Sequence, residues 1–121
     1  MNQKINQLIP KAIDAISDGE MATDGKVEKE YKGYISSMGA SILQSGLIAT
    51  LAFYSKDAEG SGAKRTYLLK AIGVLVVPDN NNSELLKYVL VNPSNQRKIE
   101  NDISNALIAL KLALRTFEQK T

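Results

Sequence analysis

A chain of 121 residues has room for one hydrophobic core and not for a second, so residues 1–121 are expected to form a single domain. Its 44% hydrophobic and 23% charged residues are those of an ordinary globular protein; the lack of cysteine and histidine excludes a disulfide framework and removes the thiolate and imidazole ligands that zinc and most transition-metal sites use, so no metal or cofactor is expected. The net charge of +2 is unevenly shared, with six Lys against eight acidic residues in 1–63 and nine basic against five acidic in 64–121, a lean toward a polyanion that a solvated helix surface would also produce.

The first twenty residues hold a Lys but no uninterrupted apolar run and no small-residue cleavage pattern, so no secretory signal is read there and a cytoplasmic protein is expected. Ile5, Leu8, Ile9, Ala12, Ile13 and Ile16 recur at spacings of three and four, which predicts an amphipathic helix over about Asn2 to Ser17. Pro10 either kinks that helix or sits in the first turn of one that starts at Ile9. The polar run Asp18 to Gly25 reads as a stop and a connector.

A long second helix is predicted from Gly25 to Ser55, with Val27, Tyr31, Ile35, Met38, Ile42, Ala49 and Phe53 as its apolar stripe. Within it, Gly33 to Ser55 is 23 residues without a charge, which predicts burial. Ser36, Ser37, Ser41, Gln44 and Ser45 make it a poor membrane span, because their polar groups need partners in hydrocarbon, and a central bundle helix fits instead. Gly39 and Gly46, seven apart, fall on nearly one side, where another backbone could approach closely.

SKDAEGSGA then reads as a loop, and a third helix is predicted over Ala63 to Val77. The β-branched runs at 74–77 and 88–91 compete as strands, but Leu85, Leu86, Val89 and Leu90 repeat at helical spacing after Ser83, which reads as an N-cap. Asn92 and Pro93 stop that helix. Ser94 is expected to cap the last one, whose seam is Ile99, Ile103, Ala106, Leu107, Leu110, Leu114 and Phe117. The expected fold is an all-α, compact bundle of about five helices around a long central helix.

No active site is legible. Glu28 with Glu30, and Glu100 with Asp102, stand two apart on helices and diverge, while Asp57 and Glu59 read as a solvated turn. Asp79 to Glu84 begins like a calcium loop but has Glu84 at the glycine place and Leu90 at the bidentate place, so it reads as a turn. Gly60 to Thr66 has the wrong glycine and lysine register for a nucleotide loop. Its weaker meaning is a flexible entry to a helix whose first basic residues, Lys64 and Arg65, could hold a backbone phosphate. Lys111 and Arg115 share a helix face, and Arg97 and Lys98 open that helix. Lys29 and Lys32 complete the basic candidates. Such a surface would follow a phosphate backbone with little sequence preference and strong salt dependence.

The run Gly46-Leu47-Ile48-Ala49-Thr50-Leu51-Ala52-Phe53-Tyr54, preceded by Tyr31 and Ile42, resembles the Gly-Leu-x-x-Thr-Leu-Ala-Phe run of the small all-helical subunit of the type III-B CRISPR effector, the Cmr or RAMP-module complex. Ala106 to Leu110 with Arg115 is a weaker match, and size and helix order agree over nearly the whole chain. The resemblance implies packing roles for Gly46, Leu47, Leu51, Ala52 and Phe53. It also implies a non-catalytic subunit in antiviral defence, lined up with copies of itself and other Cmr subunits as a minor filament that flanks guide and target RNA. No membrane contact is expected. Charge placement, rather than the family motif, selects Lys64, Arg65, Lys111 and Arg115, then Lys29, Lys32, Arg97 and Lys98, for RNA contact. A stand-alone helical adaptor that binds protein and never meets nucleic acid is the competing expectation.

Overall fold

The computed structural model describes residues 3–55, 61–78 and 84–120. Helix α1 spans Gln3–Asp18 and runs through Pro10, which lies on the solvent side, while Ile5, Ala12, Ala15 and Ile16 are buried. The proline therefore sits inside the helix and not in its first turn. Gly19 ends α1: its N–H bonds the Ala15 carbonyl at 3.1 Å, and a Cβ there would lie 2.7 Å from that same oxygen.

The predicted connector contains a small hairpin, β1 (Ala22–Thr23) and β2 (Lys26–Val27). Asp24 and Gly25 both have positive φ, 55° and 76°, the pairing that a two-residue turn with the strands' own twist demands. Strand β3 (Glu118–Gln119) pairs in parallel with β2, setting Lys26 opposite Glu118 and Val27 opposite Gln119. The Lys120 N–H extends this contact to the Val27 carbonyl at 2.9 Å. Val27 is thus a buried strand residue and not part of a helix.

Two helices stand where one was expected. Helix α2 covers Glu30–Ser45 and α3 covers Leu47–Ser55, separated by Gly46 at φ 93°, ψ 163°. That backbone region is open essentially to glycine alone, so the helix cannot pass through it. The chain doubles back: the Ser41 and Thr50 hydroxyls meet at 2.7 Å, and Tyr54 Oη donates to the Tyr34 carbonyl at 3.3 Å. Of the uncharged stretch only Ile35, Met38, Ile42, Leu47, Thr50, Leu51 and Tyr54 are buried, which corrects the expectation that all of it is interior. No backbone packs against Gly39 or Gly46 among the described residues, since a Cβ at either meets nothing within 4 Å.

Helix α4 (Ser61–Val76), α5 (Leu85–Leu90), a single 3-10 turn (Pro93–Asn95) and α6 (Gln96–Leu114) complete the bundle. Both β-branched runs are helical up to Val76 and Leu90, as the 3.6-residue spacing required. Ser83 lies outside the described residues, and Glu84 precedes α5 without a side-chain cap. Ser94 does not cap α6, because Pro93 starts the 3-10 turn and Asn95 flanks the helix with no side-chain hydrogen bond. Asn92 Nδ2 instead closes α5 on the Tyr88 carbonyl at 2.8 Å.

The structure is an all-α bundle with a minute sheet. Helix α6 is its hub, packing on α1, α2 and α4 and burying Ile99, Ile103, Ala106, Leu107, Leu110 and Leu114. Each fully buried Leu or Ile stabilises the fold by about 1.5–3 kcal/mol. The α1–α6 pair is the most extensive, and both members bury alanines, Ala12 and Ala15 on one and Ala106, Ala109 and Ala113 on the other, side chains small enough for close approach. Phe117 falls beyond α6 and packs half-buried against the core. Among the described residues no helix is long and apolar enough to cross a membrane.

Candidate nucleic-acid interface

The sheet fixes where α2 begins and where the chain leaves α6. The first turn of α2 and its preceding residue carry Lys29 and Lys32, and the end of α6 carries Lys111 and Arg115. All four line one shallow depression of about 40 Å³, with Glu28 at its wall and Gln119 of β3 at its rim. Lys111 Nζ donates to Ser36 Oγ at 3.1 Å, tying α6 to α2 across 75 residues of sequence. Glu28 is held by Lys120 at 3.6 Å, which offsets the one carboxylate among the lining residues. Four cations gathered around a space too small for a base suit the oxyanion of a phosphodiester.

The other four candidates lie elsewhere. Lys64 Nζ donates to Glu30 Oε2 at 2.9 Å. That bond holds the Glu30 carboxyl below its ordinary range and raises Lys64, so both stay charged at neutral pH. Arg65 lays its guanidinium 5.1 Å from the centroid of the Phe53 ring. Lys98 pairs with Asp102 at 3.0 Å, one turn along α6, and that hydrogen bond raises its pKa. Arg97 lines a separate pocket of about 440 Å³ between the starts of α3 and α6, together with Glu100 of the same helix. Charge alone did not distinguish the convergent lysines from the paired ones, and Ser36, Glu28 and Gln119 had no signal in the sequence.

Among the described residues no group of three or more His, Cys, Asp or Glu side chains could hold a metal ion. Asp57, Glu59, Gly60 and the Asp79 to Ser83 string lie outside the described residues, and from Ser61 onward the glycine-lysine string is already helix α4. Burial pushes the phenols of Tyr31 and Tyr54 up, so both stay neutral well into alkaline solution.

A model of one protein family, CRISPR-associated protein (Cas_Cmr5), matches residues 2–112. The chain belongs to that family. No curated protein and no solved structure matches it. The chain is therefore a small CRISPR-associated subunit of a type III-B Cmr complex, and membership implies association with the other subunits. In this Cmr subunit the run Gly46 to Tyr54 splits by face: Leu47 and Leu51 pack into the core, whereas Ala52 and Phe53 face outward and Gly46 makes the break. Arg115 and β3 lie beyond the matched residues.

Proposed function

We propose that this Cmr subunit is a non-catalytic, single-domain structural member of a cytoplasmic, RNA-guided antiviral effector, standing in the minor filament beside copies of itself and flanking guide and target RNA. The observation that carries this reading is the convergence of Lys29, Lys32, Lys111 and Arg115 on one depression. The carboxylates of Glu20, Glu28, Glu30 and Asp102 are each engaged by a lysine, which supports a scaffolding role over acid-base chemistry.

The test is RNA binding by the assembled complex across a salt series, with Lys111→Glu and Arg115→Glu in this subunit. Weaker binding and a shallower salt slope are expected, by about 0.7 in log-log slope for each single-strand phosphate that is no longer neutralised. Unchanged RNA affinity and slope would return the basic surface to mere solvation and favour the adaptor reading, which the exposed apolar side chains Leu43, Ile48 and Phe53 independently support.

A further inference from the structure

Arg97 and Arg115 stand 18 residues apart at the two ends of α6, which is about five whole turns, so both project from one face of that helix. The pocket at Arg97 is therefore aligned with the basic depression at Arg115. Helix α2 borders both. Its start brings Lys29 and Lys32 to the depression, and its last residue, Ser45, lines the Arg97 pocket. Between those ends Lys32, Ser36, Gly39 and Leu43 follow one another at spacings of three and four and share one stripe. The 3.1 Å bond from Lys111 to Ser36 shows that this stripe adjoins the arginine face of α6.

Charge is confined to the ends of this seam. Helix α2 carries none from Gly33 to Ser45, and α6 carries none from Ile103 to Leu110. Ser104 and Ile108, on the α6 face of the two arginines, are exposed, as is Leu43 on the α2 stripe. The midpoint is open, because a Cβ on Gly39 would meet nothing within 4 Å. At the far end the Arg97 side chain enters none of the salt bridges among the described residues, although Glu100 shares its pocket. Cations at both ends and a neutral, partly apolar middle complement a nucleic-acid strand, whose phosphates need positive charge and whose bases and riboses tolerate apolar contact.

We propose that the seam between α2 and α6 is a track for one segment of single-stranded RNA, held at the basic depression and reaching a second phosphate contact at Arg97. The inference rests on the reading that the depression holds RNA, and adds to it a path and a minimum length. From Arg115 to Arg97 the helix rises about 27 Å, so a stacked strand at about 3.4 Å per nucleotide covers the track with about eight nucleotides, and an extended strand with fewer. Leu43 and Ile108 cannot hydrogen-bond base edges, so the middle of the track accepts any base. Glu100 beside Arg97 makes the far contact the weaker of the two.

The experiment titrates the purified full chain at low salt with oligouridylates of about three and about ten nucleotides, read by fluorescence anisotropy. Arg97→Glu and Gly39→Glu place negative charge at the far end and at the midpoint of the track, and Lys32→Glu with Arg115→Glu places it at the depression. The parent is expected to bind the longer RNA more tightly, with a log-log salt slope steeper by about 0.7 for the added phosphate. Arg97→Glu and Gly39→Glu should abolish that increment and leave the short RNA bound as before, and Gly39→Arg should tighten the longer RNA. Replacing a helical glycine that has open space around it should not lower the melting temperature, so these effects are not those of unfolding. Parental binding of the longer RNA by Arg97→Glu and Gly39→Glu, with binding lost in the Lys32→Glu, Arg115→Glu variant, overturns the track and leaves the depression standing alone. Equal losses at both lengths point to a diffuse field and overturn it too. So does Gly39→Glu that keeps parental RNA binding but no longer co-purifies with the co-expressed complex, which would make the seam a protein contact. If the parent binds neither RNA, or the depression variant binds both as the parent does, the RNA reading itself fails and the track with it.

Discussion

The hydroxyls of Ser41 and Thr50 meet at 2.7 Å across the glycine break, joining α2 to α3. Thr50 is 1% exposed and is the buried polar side chain of this core among the described residues. Replacing it with valine leaves the Ser41 hydroxyl without its partner, at a cost of about 1–3 kcal/mol. The Ser41→Ala, Thr50→Val double variant should recover much of that stability. Urea melts of the four proteins measure the coupling, and strict additivity would show that the pair contributes nothing to the hairpin.

Gly46 separates two explanations of one substitution. The sequence suggests that a leucine there overpacks, but the space around its Cβ is empty and the backbone sits at φ 93°. Gly46→Ala and Gly46→Leu should therefore cost about the same, on the order of 1–3 kcal/mol, because the strain belongs to the backbone and not to side-chain volume. A leucine variant several kcal/mol worse than alanine in thermal melts would restore the overpacking account.

Position, more than charge, should decide which cations matter to RNA. Charge reversal at Lys32 or Arg115, which share the depression, is expected to weaken RNA binding and flatten its salt dependence. Reversal at Lys98, occupied by Asp102 at 3.0 Å, should change it little. Anisotropy titrations with single-stranded RNA distinguish the two, and equal effects at all three sites would argue for a diffuse field in place of a site.

Removing residues 118–121 deletes β3 and frees Glu28 from Lys120. Stability should fall by about 1–2 kcal/mol as the ladder bonds disappear. RNA affinity should fall as well, because Glu28 then stands unneutralised beside the four cations. An affinity that rises on truncation would mean that the strand obstructs the depression.

Alkaline unfolding should start near the free tyrosine pKa of about 10. Burial raises the folded-state pKa of Tyr31, so its neutral phenol favours the folded state fully below the unfolded pKa, and that stability is lost as pH rises toward the folded value. Tyr31→Phe should make the alkaline fall of stability shallower by up to about 1.4 kcal/mol per pH unit. Identical pH profiles for the two proteins would count against ionisation of Tyr31 as a cause.

The helical spacing of α1, α4, α5 and α6 was legible because each keeps one unbroken 3.6-residue phase. Ile35, Met38 and Ile42 followed the same phase in α2. Beyond Gly46 the phase slips, so that Leu47, Thr50, Leu51 and Tyr54 turn inward while Ala49 and Phe53, placed on the inner stripe by an uninterrupted count, turn outward. A glycine within an apolar run gives no local sign of whether the helix continues or reverses. Likewise, Lys111 and Arg115 share a face by spacing alone, but their meeting with Lys29 and Lys32 required α2 and α6 to pack with opposite ends adjacent.

Residue order by itself determined the helical class, most helix limits and the family, since these follow from periodicity and from short-range motifs carried within single segments. Tertiary packing decided which side of the uncharged stretch meets water, which lysines pair with carboxylates and where a minute sheet ties residues 118–119 to residues 26–27. Those outcomes depend on contacts between positions far apart in the chain, and no local spacing encodes them.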